Sequence, residues 1–279
     1  MLTHRNKRLI RKFTRKRIII YGSVLAVLVV LSLFAPYFAP YDPIQISMEG
    51  RKSPNLDHIF GTDRLGRDIL SRIIYGTKYS LSIGIISVSI GLIFGTTMGV
   101  LSAYYGGLVD TIIMRFIDAL LAFPGILLAL VVIAVLGPGL FNVMLAVGIS
   151  TIPEYARLAR GKVLSVLQLE YIEAIHSIGG SNIRVILKHI LPNISAPITI
   201  LATLQVGNAI LVGSGLSFLG MGAQPPTPEW GLMTAEGRNF MSQAWWISTF
   251  PGIAILITVI SINQFGDGLR EAIDPYLKE

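Results

Sequence analysis

Long apolar runs dominate this 279-residue sequence, and they leave it few ways to fold. About 20 apolar residues suffice to cross the hydrocarbon core of a bilayer as a helix. Inside that core each spanning segment must satisfy its own backbone N–H and C=O groups, which rules out open sheets. Hydrophobic residues make up 52 % of the chain and charged ones 14 %, against about 25 % charged in soluble domains. The expected class is therefore all-α, a polytopic membrane protein.

The runs predict six spans. The first is Ile18 to Ala39, preceded by eight basic residues between Arg5 and Arg17. A basic block ahead of a span is a signal for cytoplasmic retention. The run is longer than a signal-peptide core, and FAPYFAP offers no small-x-small cleavage site, so it is expected to stay attached. From Pro40 to Lys78 the chain is polar and expected outside. Within it, Asp68 to Tyr75 has the apolar spacing of a short interfacial amphipathic helix. A second span covers about Ser80 to Ala103. There Ser87, Gly91, Gly95, Gly99 and Ala103 recur every four residues, a small-residue stripe that lets two helices approach closely. Packing within this chain is the simpler use of that stripe, packing against another subunit the alternative.

After Gly106-Gly107, a third span runs from about Thr111 to Leu136. Pro124 is expected to kink it, and Arg115 to pair with Asp118 three residues on. Gly137-Pro138-Gly139 makes a tight turn. Phe141 to Ile152 is too short to cross by itself, but a helix continuing through Pro153 to Leu158 is long enough. The fifth span is about Ile194 to Phe218, followed by a Gly- and Pro-rich outer loop with Trp230 placed at the membrane interface. Trp245-Trp246 opens the sixth span, about Trp245 to Phe265, and a short tail returns inside. Both termini are then cytoplasmic.

Several kinds of chemistry are missing. The net charge of +7 comes largely from the N-terminal block, without aromatic interleaving, which argues against nucleic acid. There is no cysteine, hence no disulfide or thiolate metal site. No GxxxxGK[ST] or HExxH motif occurs. Gly215-Leu216-Ser217-Phe218 lacks the final glycine of a rhomboid-type Gly-x-Ser-Gly, and Asp267 lies in the tail rather than in a buried aspartate pair. The chain binds no cofactor on this reading and is not an enzyme. The middles of the spans hold essentially no ionisable side chains, whereas ion-coupled transporters place charges there. A secondary transporter is thus the rival from a different class, and energy for pumping must come from another polypeptide.

The segment Tyr171 to Pro192, YIEAIHSIGGSNIRVILKHILP, is the polar exception. Apolar spacing predicts a helix from Gly161 to Ile178 that ends at Gly179-Gly180, residues suited to a left-handed cap. Ser181 then caps a second helix to Ile190, and Pro192 ends or redirects it. The product is a cytoplasmic helix–turn–helix, with Glu173 and His176 at the end of its first arm.

Glu173-Ala174-Ile175, Gly179 and Leu191-Pro192 resemble the EAA loop of ABC-importer permeases, EAA-x3-G-x9-I-x-LP. Ile175 replaces the second Ala, and His189 stands where Ile is expected. Further stretches are similar to the C-type permeases of dipeptide, oligopeptide and nickel importers. They are HIFGTDRLGRD (His58 to Asp68) with Ser71-Arg72 and Tyr75-Gly76, LSFLGMGAQPPTPEWG (Leu216 to Gly231), and GDGLR (Gly266 to Arg270) with Asp274-Pro275. The resemblance covers essentially the whole sequence. It implies a type I ABC importer fold in the bacterial or archaeal inner membrane. Residues 1–78 would hold the basic tail, first span and external loop, and 79–279 the transmembrane domain with its coupling loop at 161–193. It also implies a homologous B-type permease partner, two cytoplasmic ATPases that use ATP and Mg, and an external substrate-binding protein. Di- or oligopeptides are the expected cargo, with nickel chelates or glutathione as alternatives. Docking onto the ATPase would fall to Tyr171, Glu173, Ala174, His176, Ser177, Gly179, Gly180 and Pro192.

Overall fold

The computed structural model describes residues 4–273, with the side chains of residues 4–15, His176 and Ile273 outside the description. Asp274-Pro275 therefore lies beyond it. Every named element is helical, and among the described residues the only strand-like pairing is an isolated bridge between Thr62 and Asp68.

Helix α1 (His4–Leu33) carries the basic block into the first apolar run. It stops short of Ala39 because the chain breaks at Phe34 and restarts as α2 (Ala35–Phe38), with Pro36 in its first turn. Proline lacks the N–H that would prolong the preceding ladder. The loop from 40 to 68 leads to α3 (Ile69–Ile90), which continues through a π-helical turn (Gly91–Gly95) into α4 (Thr96–Tyr105). Residues Ile69–Tyr105 thus form one 37-residue helix. The short interfacial helix expected over Asp68 to Tyr75 is corrected here: those residues are the first turns of the long helix. Ile69 and Ile74 are buried within the protein rather than laid on a membrane surface.

The small-residue stripe is explained by the helix it meets. Helix α7 (Leu140–Leu167) packs against α3, α4, α6 and α10 and forms the centre of the fold. Ser87 Oγ donates to Met144 O at 2.9 Å. A Cβ on Gly95 would lie 2.5 Å from Ile152 O and 2.6 Å from Tyr155 Cβ, and one on Gly99 would lie 2.8 Å from Ala159 Cβ. The stripe is thus used within this chain.

Helices α5 (Gly107–Leu121) and α6 (Gly125–Leu136) correct the third span. Pro124 does not kink a single helix. It precedes the first residue of α6, and the two helices meet at 94°. The residue before a proline is driven out of the α region, which turns a kink into a break. The expected Arg115–Asp118 pair is also replaced, since Asp118 accepts from Arg157 of α7 at 2.9 Å. The tight turn at Gly137-Pro138-Gly139 is present, with Gly137 at φ 83°.

Helix α7 runs unbroken through Pro153, so it is long enough to cross a membrane. Four other helices among the described residues are both long and apolar enough, and the α5–α6 pair makes five if it counts as one span. After α7 come α8 (Glu170–Ser177), α9 (Asn182–Val185), a π-helical turn (Ile186–Ile190) and α10 (Leu191–Phe218). Helix α11 (Trp230–Gly237) and helix α12 (Trp246–Ile273) complete the chain. The stretch Gly266 to Arg270, expected in the tail after a sixth span ending near Phe265, is helical and part of α12. A hydrogen bond from Gly139 N to Met221 O (3.2 Å) brings the start of α7 beside the end of α10.

At that same end the 40–68 loop is pinned by buried charge. Arg67 Nε reaches Asp63 Oδ2 at 2.5 Å, and Glu236 Oε2 of α11 accepts from both Arg67 (3.0 Å) and Arg72 (3.2 Å). Asp68 accepts from Ser71 N (2.7 Å), capping α3, and from His58 Nδ1 (2.9 Å). Trp230 corrects another expectation. It is fully buried, its Nε1 donates to Ile73 O at 3.0 Å, and a Cβ on Gly76 would lie 2.8 Å from that nitrogen. Trp246 is likewise buried and donates to Thr62 O at 3.2 Å, whereas Trp245 is half exposed. Just ahead of Trp230, Glu229 caps α11 by accepting from Gly231 N and Leu232 N, both at 2.8 Å. Burial pushes the Glu229 carboxyl above its ordinary range, against the opposing pull of those two N–H groups.

Candidate functional site

The loop between α7 and α10 differs from its expected shape in three respects. The first arm is not one helix from Gly161 to Ile178: α7 ends at Leu167, and α8 restarts at Glu170. Ser181 occupies the N-cap position of α9 but makes no side-chain capping bond, and only its carbonyl accepts from Val185 N, at 3.0 Å. Pro192 neither ends nor redirects a helix. Residues Asn182–Phe218 run as one helix, and Pro192 sits in the first turn of α10 just after the π-helical turn. Proline is tolerated there because the wider π turn already departs from the regular i→i−4 ladder.

The Gly-Gly turn is formed as expected. Gly179 has φ 81°, and Gly180 N donates to Ile175 O at 2.9 Å, a Schellman-type close to α8. The two glycines serve different needs. Gly179 has open space around it and is required for its backbone angle, while a Cβ on Gly180 would lie 2.8 Å from Ile175 O. Apolar spacing then decides which side of α8 faces in. Ile172 is buried and Ile175 packs against the main core. Glu173, Ala174, Ser177 and Gly179 are exposed, and Ile178 is 85 % exposed.

The second arm is tied to the first through Tyr171. Its hydroxyl accepts from Asn193 Nδ2 at 3.0 Å, and its ring lies 6.1 Å from that of His189. His189 therefore has a place in the structure despite its departure from the general motif. Pro192 is exposed beside this contact, and the His176 side chain is outside the description, though its backbone belongs to α8. Ile183 and Leu187 add exposed apolar surface on the second arm. The structure thus brings Tyr171, Glu173, Ala174 and Ser177 of α8, which two inward isoleucines hold, to the same end of the bundle as Gly179 and Gly180 of the turn and Pro192 of α10.

Two further groups of residues, one near this end and one midway along the helices, were not legible as functional from spacing alone. Arg160 grips Asp110 through two bonds, 2.7 Å and 2.6 Å, and Arg157 holds Asp118, so α5 is fastened to α7 just ahead of α8. Acids eight residues apart on one helix and arginines three apart on another were the available signal. The second group is Glu154 of α7 with Gln205 and Asn208 of α10. Gln205 Nε2 donates to the Glu154 carboxylate, and Asn208 Nδ2 donates to Gln205 Oε1 at 3.1 Å. This corrects the expectation that the span middles lack ionisable groups. Among the described residues, no group of three or more His, Cys, Asp or Glu side chains could hold a metal ion.

Comparison with known proteins identifies the architecture. The profile of binding-protein-dependent transport system inner membrane components matches residues 91–279, and that of the N-terminal domain of oligopeptide transport permease C matches residues 7–56. The chain is 45 % identical over 271 residues to the glutathione transport system permease protein GsiD of Pectobacterium atrosepticum, covering 96 % of this chain and 90 % of that one. It is 43 % identical over 270 residues to the dipeptide transport system permease protein DppC of Alkalihalophilus pseudofirmus, covering 96 % and 89 %. An inward-facing structure of the MetNI methionine ABC transporter superposes with a TM-score of 0.60 at 18 % identity, over 74 % of this chain and 98 % of that one. The helical bundle and these matches agree, and the chain belongs to the family of binding-protein-dependent transport system inner membrane components, the multi-pass permease subunits of ABC importers.

Proposed function

We propose that this permease forms half of a peptide translocation pore, paired with a homologous B-type permease. Two separate ATPases bind and hydrolyse ATP with Mg, and an external binding protein delivers the cargo. Six spans with both termini in the cytoplasm complete the proposed topology, with α7 as a full span. Residues 1–78 supply the basic tail, first span and external loop, and 79–279 supply the pore domain with its coupling loop at 161–193. Similarity to a dipeptide permease supports di- or oligopeptides as cargo, and similarity to glutathione permeases supports that tripeptide as a second candidate.

The observation that carries this reading is the asymmetry of α8. Ile172 and Ile175 anchor it inward, while Glu173, Ala174, Ser177 and Gly179 are presented outward between two long helices. A helix held in this way passes displacement of a docked partner into α7 and α10. Small side chains at Ala174 and Gly179 allow close approach, and Glu173 offers one charge that fixes register on a basic partner.

The test uses the assembled transporter in proteoliposomes. Glu173→Lys reverses the docking charge, and Gly179→Pro imposes φ near −65° where the turn needs a positive angle. Both variants should insert normally and lose ligand-stimulated ATP hydrolysis. Survival of that stimulation in both would overturn the docking assignment. Uptake by this chain alone, without ATPases, would instead establish the ion-coupled alternative.

A further inference from the structure

Glu154 is solvent-exposed, yet it lies deep in the bundle. Leu140 and Phe218 mark the adjoining ends of α7 and α10, and Glu154 and Gln205 both lie about 20 Å along the helices from those ends. Gln205 sits within a helix apolar enough to span a membrane, so this layer falls inside a hydrocarbon core about 30 Å thick. A carboxylate exposed at that depth faces a water-filled path or another polar surface, not lipid.

The neighbours indicate what that surface does. Gln205 is buried and donates to the carboxylate, and the exposed Asn208 in turn donates to Gln205. Because the Gln205 amide N–H donates to Glu154 Oε2, that oxygen is held as an acceptor on α7. From Asn208 the same face of α10 continues through Leu211 and Gly215. It ends in a cavity of about 210 Å³ between α10, α11 and α12, which Phe218 and Thr234 also line. Amide, small and branched residues with one carboxylate make a stripe that can hold a passing solute without trapping it.

We propose that Glu154, positioned by Gln205, is a cation station on the translocation path that receives the protonated amine of the substrate, with Asn208 beside it. This rests on the reading of the chain as a pore half and narrows its cargo to solutes carrying a free ammonium group, such as the N-terminus of a peptide.

The chain has no cysteine, so single cysteines can report on the path directly. In the assembled, ATP-cycling transporter, Asn208→Cys should react with small water-soluble methanethiosulfonates, while Ile85→Cys and Val131→Cys on other exposed faces should not. The cationic reagent should react about tenfold faster than the anionic one at Asn208→Cys, as a carboxylate several ångströms away requires. Adding Glu154→Gln should erase that preference, with labelling located on this chain by mass spectrometry. In parallel, Glu154→Gln should lower uptake of a free-amine peptide about tenfold without preventing assembly. An unreactive Asn208→Cys, or a charge preference unchanged by Glu154→Gln, overturns the station whatever the cargo. Failure of the Glu154→Gln complex to assemble, with Asn208→Cys shielded, would make Glu154 an interface residue and overturn it too. A preserved labelling preference with no peptide uptake by the parent transporter keeps the station and removes the peptide reading.

Discussion

At the scale of single residues, the deciding feature is how closely α3 and α4 approach α7. Gly95 and Gly99 face backbone atoms and Cβ groups of α7, which cannot swing aside as a flexible side chain can. Gly95→Ala should therefore destabilise the detergent-solubilised protein by about 1–3 kcal/mol, read as a lowered midpoint of thermal unfolding. Gly161→Ala, also helical but with nothing near its added methyl, should be neutral or slightly stabilising. The glycine stripe was legible because a four-residue repeat of small side chains has one simple use in a helix. Trp230 was not. A tryptophan in a Gly- and Pro-rich loop beside a span suits the membrane interface equally well, and its burial depends on distant residues such as Gly76 and Ile69 of α3.

Helix boundaries show the same division between local and distant causes. The turn at Gly179-Gly180 follows from local chemistry and forms as expected, whereas Ser181 and Asp68, both good N-cap residues, behave differently. Asp68 accepts from Ser71 N and also holds His58, while the Ser181 side chain makes no capping bond. Asp68→Ala should cost about 2 kcal/mol or more, and Ser181→Ala should stay within about 0.5 kcal/mol. Equal losses in thermal unfolding would mean that cap geometry does not govern these two helix starts. Pro124 and Pro192 exchange their expected roles. The proline inside an apolar run breaks the chain through 94°, while the one at the end of the polar segment sits within a continuous helix. Sequence alone could not separate them, because the outcome depends on whether neighbouring helices hold the two halves in line.

For the molecule as a whole, charges decide how the parts are joined. The Arg157–Asp118 pair is mostly exposed, and exposed pairs are worth about 0–1 kcal/mol. Asp63, Arg67 and Arg72 are buried and the Glu236 side chain nearly so, and removing one partner from such a cluster typically costs about 3–5 kcal/mol. Glu236→Ala should thus lower the unfolding midpoint far more than Asp118→Ala, and proteolysis within the 40–68 loop should rise only in the former. The helical class and the turn at Gly179-Gly180 were legible because composition and local periodicity carry them. The cluster was not, since it joins positions far apart along the chain. Glu154 escaped notice because its neighbours Pro153 and Arg157 look like the end of a span.

That cluster also bears on how the protein is made. Arg72 precedes Glu236 by 164 residues, and at about 5–20 residues per second a ribosome needs roughly 8–33 s to cover that stretch. Through this interval Arg67 and Arg72 have Asp63 but not Glu236 as a carboxylate partner in the cluster. The 40–68 loop can therefore gain its tie to α11 only after that helix has been synthesised. A chain truncated before α11 would lack that tie, and residues 40–68 should be cleaved faster in it than in the complete protein.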